Sequence, residues 1–160
     1  MKSIPRTRPW NRVDQNVYSI ASFSNGRHNM NICTYATPIS LKPKLYMVAI
    51  YKKTLTEQLV KDQSEFVLQF LSVNHANLIQ LLGRTSGFHH DKLKNIPELQ
   101  SYQQFMLLPG LPAFVHLKVN GWVDSGDHSC AMCEVIGSKN LSSGRLLTTG
   151  ILRKKKLIRG

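Results

Sequence analysis

Most of this chain follows a two-residue period. Ala113, Val115, Leu117 and Val119 alternate with Phe114, His116, Lys118 and Asn120, which predicts a strand with one face on a core. Cys130–Ile136 predicts the next strand, reached through a turn at Asp124-Ser125-Gly126. Nearer the N-terminus, strands are predicted at about Tyr18–Phe23 and Asn29–Thr37. They are joined by Ser24-Asn25-Gly26-Arg27, where Asn-Gly is a strong hairpin signal. Leu45–Tyr51, LYMVAIY, is nearly continuously apolar and predicts a buried strand, and Phe66–Phe70 predicts another.

The helical signals are shorter. Thr54-Leu55-Thr56-Glu57 is a capping box that opens a helix running to about Lys61. Asn74 is placed to cap a second helix through Leu82, ended by Gly83, with Leu78, Ile79, Leu81 and Leu82 on its buried side. Prolines and polar residues from Ile96 to Pro112 predict a long loop that covers a site. The tail after Arg145 fits strand, helix or a mixture. Residues 1–17 are Pro- and Arg-rich and predict an irregular basic arm, with Trp10 as an anchor against the barrel or a partner chain. Residues 18–160 then form a single domain with a basic C-terminal tail. Its class is mainly β with a few short helices, a closed or partly closed barrel.

At 160 residues the chain is long enough to bury a sizeable core, and 42% apolar with 19% charged residues is ordinary for a folded protein. No apolar run reaches the roughly 18 residues of a membrane helix. MKSIPRTRPWNR is basic, but Pro5 and Pro9 interrupt it and no apolar segment follows, so a cytoplasmic location is expected. Cys33, Cys130 and Cys133 are too few, and odd in number, for a disulfide framework, and are expected to be buried free thiols. Cys130 and Cys133 lie on a predicted strand with side chains on opposite faces. No second Cys pair completes a zinc site, and His89-His90 has no evident third ligand, so no metal is expected.

The net charge of +12, from 21 basic and 9 acidic residues, makes a nucleic-acid-binding barrel a rival function. Much of that excess lies in the two ends, and the middle lacks a basic stripe interleaved with aromatics, which disfavours the rival. No GxGxxG follows a strand and no Gly-rich phosphate loop is present, so any nucleotide must be held another way. The helix start at Thr54 offers free amides, two hydroxyls and Lys52 and Lys53 to a phosphate, although Thr54 serves equally well as a simple cap. Ser86, His89 and Asp91 have the residue types of a hydrolytic triad but lie in one short turn, which disfavours hydrolysis. In NMNICTYATPISLKP, Asn29–Pro43, the hydroxyls of Thr34, Thr37 and Ser40 can bond a flat polar molecule beside the small Ala36.

Taken in order, that segment, TLTE at Thr54–Glu57, GRTSGFHHDK at Gly83–Lys92 and GDHSCAMCEV at Gly126–Val135 resemble the flavin reductase-like family over about Tyr18–Ile136. The resemblance implies a split β-barrel that binds FMN. It places Asn31, Cys33, Thr34, Tyr35, Ala36 and Thr37 along the flavin ring, with Thr34–Thr37 at its pyrimidine edge. This chain has Asn31-Ile32-Cys33-Thr34 where many relatives carry a Thr-Ala-Ser-like run, and Cys33 by residue type suits core packing. It implies phosphate contacts at Lys53, Thr54 and Thr56, flavin contacts at Ser86 and Gly87, and a phosphate or ribityl contact at Lys92. His128 is implied on the nicotinamide side, as the candidate catalytic residue.

The function so implied is NAD(P)H-dependent flavin reduction, with hydride passing from NADH or NADPH to flavin N5. A homodimer is implied, with an oxygenase or other electron acceptor as the downstream partner. A non-catalytic FMN-binding or electron-transfer module is the alternative.

Overall fold

The computed structural model describes residues 7–159. A 3₁₀ turn at Pro9–Arg12 leads into β1 (Tyr18–Ser24) and β2 (Arg27–Cys33), then β3 (Ala36–Ser40) and β4 (Leu45–Tyr51). Helix α1 (Leu55–Gln63) precedes β5 (Glu65–Phe70), and α2 (Ile79–Arg84) follows it. A small hairpin, β6 (Gln100–Tyr102) and β7 (Phe105–Leu107), comes before the long strands β8 (Ala113–Ser125) and β9 (His128–Asn140), and α3 (Thr149–Lys154) ends the order.

Seven strands form one antiparallel sheet in the order β2-β1-β5-β8-β9-β4-β3. The two outermost strands, β2 and β3, are neighbours in sequence, so the sheet curls until its edges meet across Thr34-Tyr35. Side chains from opposite parts of the sheet fill the interior: Ile20 of β1, Val48 and Ile50 of β4, Phe66 and Leu68 of β5, and Leu117 of β8. Each such fully buried side chain contributes about 1.5–3 kcal/mol. The architecture is a split barrel of mainly β structure.

The hairpin expected at Asn25-Gly26 is a two-residue turn, with φ of 49° and 76° at the two positions. Both values lie in the left-handed region that such turns need.

Several elements differ from the sequence expectation. The predicted strand Asn29–Thr37 is two strands, because the chain leaves one edge of the sheet at Cys33 and rejoins the other at Ala36. LYMVAIY is buried on one face only: Tyr46, Val48 and Ile50 point into the barrel, while Leu45, Met47 and Ala49 are half-buried and Tyr51 is exposed outside. The second helix begins earlier than Asn74, since Ser72 accepts the capping role and His75 Nδ1 takes the Ser72 amide at 2.9 Å. It runs as a 3₁₀ turn, Val73–Leu78, into α2, which includes Gly83. The turn after β8 is Gly126-Asp127, one residue later than predicted, with Ser125 paired to His128.

The 96–112 segment is folded against the sheet rather than an open loop. Phe105, Leu107, Leu108 and Leu111 join Ala21, Val67, Leu71 and Leu82 in a second core on the outer face. This second cover explains why β8 buries Phe114 and His116 on the face expected to be polar. His116 is 2% exposed and pairs with Glu65 at 2.9 Å.

Trp10 is 66% exposed, so it does not anchor the arm to the barrel. Asp14 and Val17 hold this stretch instead: Asp14 Oδ1 accepts from the Gly150 amide at 2.7 Å, and Val17 is buried. All three cysteines are free. Cys33 and Cys133 are buried in the barrel, where desolvation pushes their thiols up to about 12, whereas Cys130 is only half-buried, on the opposite face of β9. Among the described residues, no helix is long and apolar enough to cross a membrane.

Candidate functional site

The seam of the barrel is where β2 stops and β3 starts. Thr34 and Tyr35 fall between β2 and β3 and belong to neither strand. Tyr35 O accepts from Ala49 N at 2.9 Å, which ties the break to β4. Two cavities of about 430 and 290 Å³ open here and share Thr34, Tyr35, Ala49 and His128. The outer one is also lined by Ala36, Thr37, Met47 and Cys130. The inner one reaches Asn31, Cys33, Tyr51 and Thr56.

His128 opens β9 and lies opposite Tyr51 at the end of β4. Its ring stands 5.0 Å from Tyr51, edge to face, and 5.3 Å from Tyr35. Asp127 Oδ1 lies 2.6 Å from His128 Nδ1. With Nδ1 turned to Asp127, Nε2 is the ring nitrogen left to a ligand.

Around the start of α1 the polar groups are spent on one another. Thr54 Oγ1 donates to Tyr51 O at 2.7 Å and accepts from Glu57 N at 3.2 Å. Glu57 reaches back to the amide of Lys53, not to that of Thr54, at 2.8 Å. Lys53 has φ of 60°, a left-handed turn that aims its amide at the carboxylate. The other Glu57 oxygen accepts from buried Ser129 at 2.6 Å and from Lys61 at 2.8 Å. Burial alone raises the Glu57 carboxyl, but the hydrogen bonds from Lys61, Ser129 and Lys53 outweigh it and hold the group below its ordinary value.

Thr56 is fully buried and its hydroxyl accepts from Asn29 Nδ2 at 2.9 Å. Gly87 lies against the same asparagine: a Cβ on Gly87 would sit 2.5 Å from Asn29 Oδ1, so a bare backbone is required there. Lys53 is exposed on a different cavity of about 490 Å³, shared with Lys61 and Trp122, and Lys52 pairs with Asp124 and the Gly126 carbonyl. Ser86 is exposed at a turn, where its carbonyl accepts from the His90 amide at 3.1 Å. Lys92 is buried and donates to Leu82 O at 2.9 Å, and desolvation lowers its ammonium to about 8. It braces the end of α2.

The fold therefore brings together Asn31, Cys33, Thr34, Tyr35, Ala36, Thr37, Thr56 and His128 around one cleft. Lys53, Thr54, Ser86, Gly87 and Lys92 do not line it. The cleft adds Met47, Ala49 and Tyr51, which sequence reasoning left inside an unbroken apolar strand. Alternation within LYMVAIY was their only signal, and it is masked because both faces carry apolar side chains.

Residues 10–148 match the flavin reductase like domain family. No curated protein matches the chain significantly in sequence. Among solved structures, the FMN-binding protein from Thermus thermophilus with bound p-hydroxybenzaldehyde aligns at 22% identity with a TM-score of 0.74, covering 88% of this chain and 82% of that one. The NADH:FAD oxidoreductase SgcE6 from Streptomyces globisporus aligns at 14% identity with a TM-score of 0.79, covering 87% and 83%. Nitrilotriacetate monooxygenase component B from Mycobacterium thermoresistibile aligns at 17% identity with a TM-score of 0.76, covering 87% and 82%. At these identities the structural likeness carries the fold.

Proposed function

The chain belongs to the flavin reductase like family, and from that premise we propose that it binds FMN in the seam cleft and catalyses NAD(P)H-dependent flavin reduction. One observation carries the proposal: the cleft forms where Thr34-Tyr35 leave both ladders and where His128 stands between Tyr35 and Tyr51. A flat, polar-edged ring suits this place. Backbone groups outside the ladders can bond its edge, Ala36 and Ala49 keep bulk low, and three aromatic rings border it.

A bound flavin supplies a two-electron acceptor whose N5 takes hydride from a reduced nicotinamide. The protein's tasks are to bind, orient and shield. Thr34, Tyr35, Ala36 and Thr37 hold the polar edge, and Asn31 and Thr56 line the inner end beside Cys33. The amides of Leu55 and Thr56, at the start of α1 after the cap residue Thr54 and beside Lys53, would hold the phosphate. Gly87 packs against Asn29, whose amide bonds Thr56 of α1, and Lys92 ties the loop that carries Ser86 and Gly87 to α2. His128, oriented by Asp127, presents Nε2 to the nicotinamide.

The outer face of β3 and β4 exposes Tyr35, Ile39 and Tyr51 beside half-buried Met47. Such an apolar face supports a homodimer with the cleft at or near the interface. One structural neighbour is named as a monooxygenase component, which supports an oxygenase as electron acceptor.

The test is anaerobic titration of the purified protein with FMN, followed by NADH or NADPH. Saturable FMN binding with rapid bleaching of the flavin is expected. Binding without bleaching selects the non-catalytic FMN module instead, and no binding removes the proposal.

A further inference from the structure

A cavity of about 570 Å³ shares no lining residue with the seam cleft. It lies between the β1–β2 hairpin, the 87–94 segment and β7, and its size falls in the range of small-molecule sites. Arg27, His28, His89, His90 and Lys94 line it with a single acid, Asp91, while Leu93, Leu99 and Met106 give it an apolar floor. The basic residues are drawn from two separated stretches of chain.

The wall is braced. Arg27 Nη2 donates to Gly87 O at 2.8 Å, and the amides of His89 and His90 close a turn on Ser86 O. His28 stacks on Phe23 with centroids 4.6 Å apart, and its Nδ1 is shut off from solvent without a hydrogen-bond partner. Among the described residues no His, Cys, Asp and Glu are grouped to hold a metal ion.

We propose that this cavity is a second ligand site, separate from the seam cleft, for a small molecule that carries an anionic group on an aromatic or aliphatic body. The cationic rim takes the anion, and the apolar floor with Phe88 takes the body. Burial lowers the His28 imidazole and Asp91 opposes it. An anion in the cavity counters the burial effect, so binding strengthens as pH falls through the histidine range. Asp91 is the only acid lining the cavity, and Arg27 and Lys94 are its other charged groups.

The experiment follows histidine ring resonances and heat while AMP, benzoate or uncharged adenosine is added, with and without FMN. Binding of either anion is expected to move His28 and His90, to weaken on the order of tenfold in the exposed-residue double variant His90→Ala/Lys94→Ala, and to persist when FMN is present. The tighter anion then identifies phosphate or carboxylate as the preferred group. Binding of neither anion, equal binding of adenosine, no loss in the double variant, or displacement by FMN would overturn the proposal. The arm without FMN keeps this result independent of whether the cleft binds flavin.

Discussion

The start of α1 and the barrel seam both carry threonines, a carboxylate or histidine and turn-forming backbone, yet they treat polar groups in opposite ways. At α1, Thr54, Thr56, Glu57, Ser129 and Asn29 bond one another in a largely buried network. At the seam, Thr34 and Tyr35 stand outside the ladders, and His128 has one nitrogen occupied by Asp127 and the other open. The first arrangement stabilises the fold, because a buried polar group without its partner costs about 1–3 kcal/mol. The second leaves hydrogen-bonding capacity for something that is not part of the chain. A threonine is a site residue or a structural one according to whether its neighbours have already used its hydroxyl.

The sharpest way to break this comparison is Glu57→Ala. It strips the acceptor from Ser129 and from the Lys53 amide, and is expected to cost about 3 kcal/mol in urea unfolding. The same stability should fade in the wild type as pH falls below the ordinary carboxyl value of 4.5. The folded-state group is lowered, so its contribution is present above that value and lost as the carboxylate protonates. An Ala variant as stable as wild type would place Glu57 outside the network.

Next in size is Thr56→Val, which leaves the Asn29 amide without its acceptor and is expected to cost about 2 kcal/mol. Thr34→Ala, the matched change at the seam, is expected to lie within about 0.5 kcal/mol of wild type and to weaken FMN binding instead. Equal destabilisation by the two would erase the distinction drawn between them.

Lys92 sharpens it from another side, as a buried cation whose hydrogen bond among the described residues is to a carbonyl, Leu82 O. Its folded-state value is lowered from 10.5 to about 8, so the unfolded chain binds more protons between those limits. Stability therefore rises with pH across that window. Lys92→Met should flatten the rise in chemical denaturation run at several pH values, and an unaltered slope would sink the assignment.

The smallest expected effect on the fold belongs to His128→Ala, within about 0.5 kcal/mol. Its effect on function should be uneven, with NAD(P)H oxidation falling more than FMN affinity in parallel steady-state and binding assays. Equal loss of both, or loss of neither, counts against a position on the nicotinamide side.

The barrel was legible to the extent that its signals are local. Asn25-Gly26 selects a two-residue hairpin, Thr54 with Glu57 starts a helix, and Tyr18, Ile20, Phe66 and Leu68 lie in strands that were predicted within a few residues. The 96–112 segment was misjudged because its apolar positions are split among prolines and polar residues, and Phe105 and Leu107 reach the core only by folding onto the back of the sheet. The cleft was legible as a segment, Asn31–Thr37, and as His128. It was not legible as a break between strands, because nothing in Asn-Ile-Cys-Thr-Tyr-Ala-Thr marks Thr34 as the place where one edge is left for another.

Sequence by itself determined the alternation, the turns and the caps, because each depends on residues within four positions of one another. Tertiary structure alone decided which hydroxyls are spent and which are open. Thr56 is taken by Asn29, 27 positions earlier, and Ser129 by Glu57, 72 positions away. Tyr51 and His128, at the ends of β4 and β9, meet only because those strands pair. The physical reason is that a hydrogen bond is satisfied by proximity in space, and along a β-barrel the neighbours in space are strands that lie far apart in the chain.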